Sequence, residues 1–246
     1  MKVSIITVCL NSAATIPRAM NSVRHQTFRP LEVLIIDGGS TDETLKIVSE
    51  FKDIVSVVIS EKDKGIYDAM NKGVAHATGD VVYFLNSDDV LISTEIIADL
   101  VSQFQQDNAL EMLYGDVVVR YDDRDYYSAH RHVNGSNIVH TGICHQAVFV
   151  RSALFAKLGG FNQDFRICAD FDWIMRAFKA KCKTMYFPRI VSIFYAGGVS
   201  MHNQSYNLLE RRRAQRQYET GLIYWAKHYR QRIRFYLQKW LKMIGL

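Results

Sequence analysis

The sequence predicts an α/β fold: a mostly parallel central sheet with helices on both faces. Three observations carry that expectation. Short apolar runs rich in β-branched and aromatic residues recur at intervals of about 25 to 30 residues, with helical patterns between them, as in chains of βαβ units. The runs are continuous rather than alternating, as expected of strands buried on both faces. One of them, residues 81–85, opens into a polar tip with two adjacent carboxylates, Asp88 and Asp89. In open α/β sheets ligands bind beyond the carboxyl ends of such strands.

Residues 3–8 form the first expected strand, and Asn11 or Ser12 can cap a helix running to about Arg24, with Pro17 tolerated in its first turn. Residues 31–36 are the second strand. Asp37-Gly38-Gly39-Ser40 then turns the chain, and Ser40 with Glu43 has capping-box spacing for a helix carrying Leu45, Ile47, Val48 and Phe51. A third strand spans residues 55–59. Ile66, Tyr67, Met70 and Val74 fall on one face of a helix that ends near Gly79, ahead of the strand at 81–85. Farther on, residues 113–120 and 126–132 alternate enough to be strands, and residues 140–150 end in another apolar run. Leu158-Gly159-Gly160-Phe161 stops a helix.

Composition sets the function classes. Hydrophobic residues make up 48% of the chain and charged residues 22%, ordinary values for a globular protein, and 3 prolines argue against long linkers. No stretch reads as a transmembrane span or a leader, and the 4 cysteines form no C-x-x-C pair, which together predict a reduced, cytoplasmic setting without structural zinc. The net charge of +5 is uneven: residues 210–246 hold ten Lys/Arg against Glu210 and Glu219, a net +8, and the preceding residues are left at −3. A nucleic-acid partner is therefore not expected of the body. Neither G-x-G-x-x-G nor G-x-x-x-x-G-K-[ST] occurs, which argues against a dinucleotide or P-loop site.

Polar residues instead stand at successive strand ends: Thr7 and Asn11, Asp37, Asp63, then Asp88 and Asp89. Such a row fits a nucleotide pocket in which Asp37 accepts from a base N–H or a ribose hydroxyl. Asp88 and Asp89, as hard oxygen ligands, suit Mg²⁺ or Mn²⁺ shared with a diphosphate. An Asp pair also serves simply as a turn or a helix cap.

The stretches SIITVCLNSAATI, DGGSTDET, SEKDKGIYDAMNKGVAHATGD and FLNSDD together resemble family 2 glycosyltransferases of the GT-A (Rossmann-like) fold, and among them the bacterial enzymes that build capsule, colanic-acid or O-antigen repeat units. The resemblance covers about residues 1–200. It implies that Thr7, Asn11 and Asp37 contact base and ribose, that Asp63 and Lys72 lie where nucleotide contacts fall, and that Asp88 with Asp89 holds the metal. The tip departs from the family's Asp-x-Asp by carrying Asn86 at its first position. The segment ICADFDWIMR resembles the family's Glu-Asp motif at a helix start, with Ala169 in place of Glu and Asp170 retained, so Asp170 is the candidate base that takes the acceptor proton. Asp172 is the second choice. His145, in HQAVF, resembles a pocket residue of the capsule-type enzymes. His202, beyond Gly197 and Gly198, stands where a C-terminal histidine approaches the metal in some GT-A enzymes.

The expected organisation is a GT-A domain over residues 1–205, with a nucleotide-binding half to about 115 and an acceptor half over 116–205, followed by a basic aromatic helical tail over 206–246. Tyr224, Trp225, Tyr229, Phe235, Tyr236 and Trp240 alternate there with Lys and Arg, a composition suited to an anionic membrane surface. The expected activity is inverting, metal-dependent transfer from a nucleoside-diphosphate sugar, UDP-linked, to a lipid-linked saccharide at the cytoplasmic face of the membrane. A sugar nucleotidyltransferase is the rival within the fold, although CLNSAATI offers no triphosphate loop. A catalytically silent saccharide-binding scaffold is the rival outside enzymes.

Overall fold

The computed structural model describes residues 1–197 and 204–218. Three apolar runs form β1 (Val3–Cys9), β2 (Leu31–Asp37) and β3 (Val55–Ser60), with α1 (Ile16–Arg24) and α2 (Thr44–Ser49) between them. Then come α3 (Ile66–His76), β4 (Val81–Phe84), the short β5 (Val90–Leu91) and α4 (Ile96–Gln106). The second half holds β6 (Met112–Arg120), β7 (Asp125–Ser128), α5 (Ile138–Thr141), a 3-10 turn His145–Ala147, β8 (Val148–Arg151), α6 (Ser152–Leu158), α7 (Ala169–Lys179), β9 (Thr184–Tyr195) and α8 (Gln204–Tyr218).

One sheet runs in the order β3-β2-β1-β4-β8-β6-β9-β5, with β7 added to β6. The first four strands are parallel, as the βαβ reading requires. Beyond β4 the expectation of a mostly parallel sheet fails. β8 returns antiparallel to β4 and to β6, β7 and β5 pair antiparallel to their neighbours, and only β6 with β9 is parallel. The reason is the connections: α6 follows β8 and α7 precedes β9, so no chain of simple crossovers links β4, β6, β8 and β9 as it does β1 to β4.

Both sheet faces are buried. On β1, Ile6 and Val8 join the core beneath α3, α6 and α7, and Val3, Ile5 and Cys9 join the core beneath α1 and α4. The same two-sidedness divides Val82 and Phe84 from Val81, Tyr83 and Leu85 at the strand that leads to the acidic tip. Such a strand end cannot shift without disturbing both cores.

Local signals were partly overridden by longer-range contacts. Ser40 makes no cap for α2; its hydroxyl accepts from the Asn11 amide at 2.8 Å and donates to Asp37, and the Asp42 carboxylate takes the Thr44 N–H at 3.0 Å instead. Neither Asn11 nor Ser12 caps α1 directly: Asn11 sits at φ 50°, and a turn on the Ser12 carbonyl delays the helix to Ile16. The 12-residue β9 is hidden in the sequence by Pro188 and Arg189, which are exposed where the β6–β9 register shifts. α8 lies against α7 and α5 through buried Glu210 and Ala214. The expected tail over 206–246 thus begins inside a helix that touches the body. His202 and residues 219–246 lie outside the described residues. Among the described residues, no helix is long and apolar enough to cross a membrane.

Candidate active site

The site forms where the C-terminal end of β4 meets the 3-10 turn at 145–147 and the N-terminal ends of α3 and α7. The tip at residues 86–89 closes through the Asp89 amide on the Asn86 carbonyl at 3.1 Å. Its two carboxylates have different fates. Asp89 is fully buried, accepting from Gln146 Nε2 at 3.0 Å and from the Tyr195 amide at 3.1 Å. Burial, and then the neighbouring Asp88 charge, push its pKa up to about 7. Asp89, expected to ligate a metal, is placed with its oxygens tying the tip to β9 and to the 3-10 turn.

Asp88 stays half-buried, with burial raising its pKa. Arg18 donates to its carbonyl at 2.7 Å and lies 3.4 Å from the Tyr195 ring centroid, bracing the tip from outside. Two orphaned atoms accompany it: Asn86 Oδ1 and Thr7 Oγ1 are buried with no hydrogen-bond partner. Buried polar atoms normally find partners, so a pair of orphans at adjacent strand ends marks a place that accepts a ligand. Among the described residues no group of three or more His, Cys, Asp and Glu surrounds a common point. A divalent cation shared with a diphosphate needs only one or two protein oxygens. Asp88 and the unpartnered Asn86 amide oxygen are of the type that meets such a demand.

Next to the tip stands a hydrogen-bonded pair. His145 Nδ1 is 2.8 Å from Asp170 Oδ2, and His145 Nε2 is 3.4 Å from Asn86 Nδ2. Asp170 Oδ1 accepts from the Phe171 amide at 2.8 Å and shares the Tyr67 hydroxyl, also 2.8 Å away, with the Ile167 carbonyl at 2.6 Å. Burial opposes charge on both partners. The mutual hydrogen bond and ion pair outweigh it, lowering the Asp170 pKa and raising that of His145. About a fifth of each side chain remains accessible, so the pair opens to a ligand. Asp170 opens α7, His145 begins the turn before β8, and Tyr67 lies in the first turn of α3, so three elements converge on one carboxylate.

Asp172 turns away. It is buried, paired with Arg176 at 3.1 Å and bonded by Tyr218 Oη at 3.2 Å, whereas Asp170 meets His145. Asp37 is fully buried and accepts from the Gly39 amide, from the Ser40 amide and hydroxyl, and from Ser60 Oγ. Burial raises its pKa and these bonds more than reverse that. In this structure it shapes the loop. Asn11 Oδ1 holds the Thr41 amide at 2.9 Å, and Asp63 holds the Gly65 amide at 2.8 Å. A Cβ on Gly38 would stand 2.5 Å from Asp63 Oδ2, so a larger residue there would have to displace the Asp63 carboxylate. Lys72 is paired with Glu61 at 2.7 Å and Asp68 at 3.4 Å. Tyr67 and Glu210 are the site residues sequence reasoning missed. Tyr67 read as one more apolar helix position, and Glu210 had one signal, an acid inside a basic run.

Comparison with known proteins identifies the family. Residues 4–182 match the family described as Glycosyl transferase family 2. The PGL/p-HBAD biosynthesis glycosyltransferase of Mycobacterium bovis (strain BCG / Pasteur 1173P2) is 34% identical over 202 residues, covering 80% of this chain and 78% of that one. Among solved structures, residues 1–349 of TarS from S. aureus in complex with UDP-GlcNAc superpose with a TM-score of 0.71 at 20% identity, over 82% of this chain and 61% of that one. The mannosyltransferase PcManGT from Pyrobaculum calidifontis in complex with GDP-Man and Mn²⁺ gives a TM-score of 0.65 at 19% identity, over 85% and 60%. The chain thus spans about 60% of the length of these two solved chains, and at such identities the likeness is one of fold.

Proposed function

The chain belongs to glycosyl transferase family 2, and from that premise we propose that it moves a sugar from a nucleoside-diphosphate donor, UDP-linked, to a lipid-linked saccharide, with inversion at the anomeric carbon. The observation that carries the reading is the His145–Asp170 pair beside a tip whose Asn86 oxygen is unpartnered and whose Asp88 carboxylate is accessible. Thr7 Oγ1 faces the donor as an unpaired polar atom at the next strand end. The acceptor hydroxyl attacks the anomeric carbon as the bond to the diphosphate breaks, and its proton passes to Asp170. Tyr67 and the Phe171 amide hold that carboxylate in place, and His145 supplies the opposite charge. Asp88 and Asn86 would hold Mn²⁺ or Mg²⁺, whose chemistry is to neutralise the departing diphosphate. The donors bound by the TarS and PcManGT structures support a nucleotide-sugar ligand, and the Mn²⁺ in PcManGT supports a divalent ion.

His145 is the alternative base, because Asp170 accepts from its Nδ1 and leaves Nε2 toward the tip. The pH dependence of turnover separates the two. A base must be deprotonated, so an Asp170 base is fully active well below neutral pH, and a His145 base gains activity only as pH rises through its raised pKa. The first test of the whole reading is a panel of nucleotide sugars with Mn²⁺, read by thermal shift. A ligand at 100 times its Kd adds about 2.7 kcal/mol of stability; no shift from any member contradicts a donor site here.

The segment proposed to meet anionic lipid is residues 210–246. Within it, residues 219–246 hold six Lys/Arg and one acid. The proposal places the enzyme at the membrane surface through this segment.

A further inference from the structure

Two adjacent residues of α8 reach in different directions. The Glu210 carboxylate accepts three consecutive backbone amides just ahead of α7: Arg166 and Ile167 at 2.8 Å each, and Cys168 at 3.1 Å. Asp170 follows two residues later. The Arg211 guanidinium donates to the Thr141 carbonyl at 2.9 Å and lies over the Phe171 ring at 4.4 Å. Thr141 ends α5, four residues ahead of His145, and the Gln215 amide adds a bond to the Val139 carbonyl at 2.7 Å. One turn of α8 therefore grips both chain segments that carry the two members of the pair.

Burial shows that this grip is built in. Glu210 is only 5% exposed, and its two oxygens take amides that precede the first turn of a helix, where donors otherwise lack partners. A buried carboxylate saturated by amides and a guanidinium on carbonyls are both charge-assisted and directional. We propose that Glu210 and Arg211 are positioning residues that set the separation of Asp170 from His145, so that α8 is part of the catalytic apparatus. Neither residue touches a reacting atom. The inference rests on the reading of Asp170 as the base, and its test is arranged to fail separately from that reading.

The test is a double-mutant cycle in the full-length protein with one structural readout and one catalytic readout. Glu210→Gln keeps size and one accepting oxygen, and so remains folded even if Glu210→Ala does not. The structural readout is amide hydrogen exchange of residues 166–168, expected to quicken about tenfold or more in Glu210→Gln, with no substrate needed. The catalytic readout is hydrolysis of the UDP-sugar that wild type turns over fastest with Mn²⁺. Glu210→Gln should lower kcat about tenfold or more at unchanged UDP affinity. In an Asp170→Asn background it should cost nothing further, because the group it holds no longer acts. Lys157→Ala, which breaks a surface pair with Glu111, controls for loss of stability alone. Unchanged exchange at 166–168, or full and independent loss of kcat in the Asp170→Asn background, overturns the inference. Normal turnover by Asp170→Asn itself overturns the base assignment, and the exchange readout still decides whether Glu210 holds the loop.

Discussion

At the scale of single residues, the two adjacent aspartates of the tip are placed differently, and the proposed site predicts separate outcomes for their mutation. Asp88→Ala removes the accessible oxygen, so UDP affinity should lose its dependence on Mn²⁺, with little change in melting temperature because the side chain supports no core. Asp89→Ala leaves the buried Gln146 amide and the Tyr195 N–H without their acceptor. Its expected effect is destabilisation of about 2 kcal/mol or more, seen in chemical denaturation. Equal loss of metal-linked binding in both with equal stability would reverse the assignment. The same scale shows why part of the site was hidden in the sequence. Thr7, His145 and Asp170 were nameable from their places at strand ends and motifs, whereas Asn86 read only as a departure from Asp-x-Asp. Whether Asp37 or Asp172 faces solvent depends on Ser60, Arg176 and Tyr218, contacts between side chains 4 to 46 residues apart.

At the scale of elements, β1, β2 and β4 were legible because a short uninterrupted apolar run rich in β-branched residues suits a strand buried on both faces better than an amphipathic helix. α2 and β9 were not: Ser40 had a stronger partner in Asp37 than in its own helix, and Pro188 interrupts a 12-residue strand. The junction of the legible strands gives a pH prediction. Glu32 on β2 is buried and accepts from Lys2 Nζ at 2.7 Å, from Ser4 Oγ at 2.5 Å and from Thr78. Burial raises its pKa, but these bonds outweigh burial and lower it from 4.5 to about 2. A carboxyl whose folded pKa is depressed stabilises the protein above the unfolded value, and the contribution is lost as pH falls through the folded one. Glu32 should therefore contribute about 3 kcal/mol above about pH 4.5, fading toward pH 2. Glu32→Gln should unfold earlier in denaturant at pH 7 and show a smaller acid dependence; an unchanged acid slope contradicts the account.

At the scale of the whole molecule, charge and structure divide at different points. The basic excess starts at residue 210, but residues 210–218 belong to a helix fixed to the body by Glu210, Arg211, Gln215 and Tyr218. Removal of residues 219–246 should therefore abolish co-sedimentation with anionic vesicles and leave UDP binding intact, while truncation after Ser205 should also lower the melting temperature. Salt should weaken the vesicle binding of full-length protein, since surface attraction decays over about 8 Å at physiological ionic strength. Salt-independent binding, or binding by the shortened chain, contradicts the proposed docking. The central claim joins a donor site at the tip to a base on α7, and Asp170→Asn tests it most directly. Asparagine is nearly the same size and accepts the same Tyr67 and Phe171 donors, but takes no proton. With the UDP-sugar selected by thermal shift, turnover should fall about 10²-fold or more with Mn²⁺-dependent UDP affinity unchanged; near-normal turnover would contradict the account.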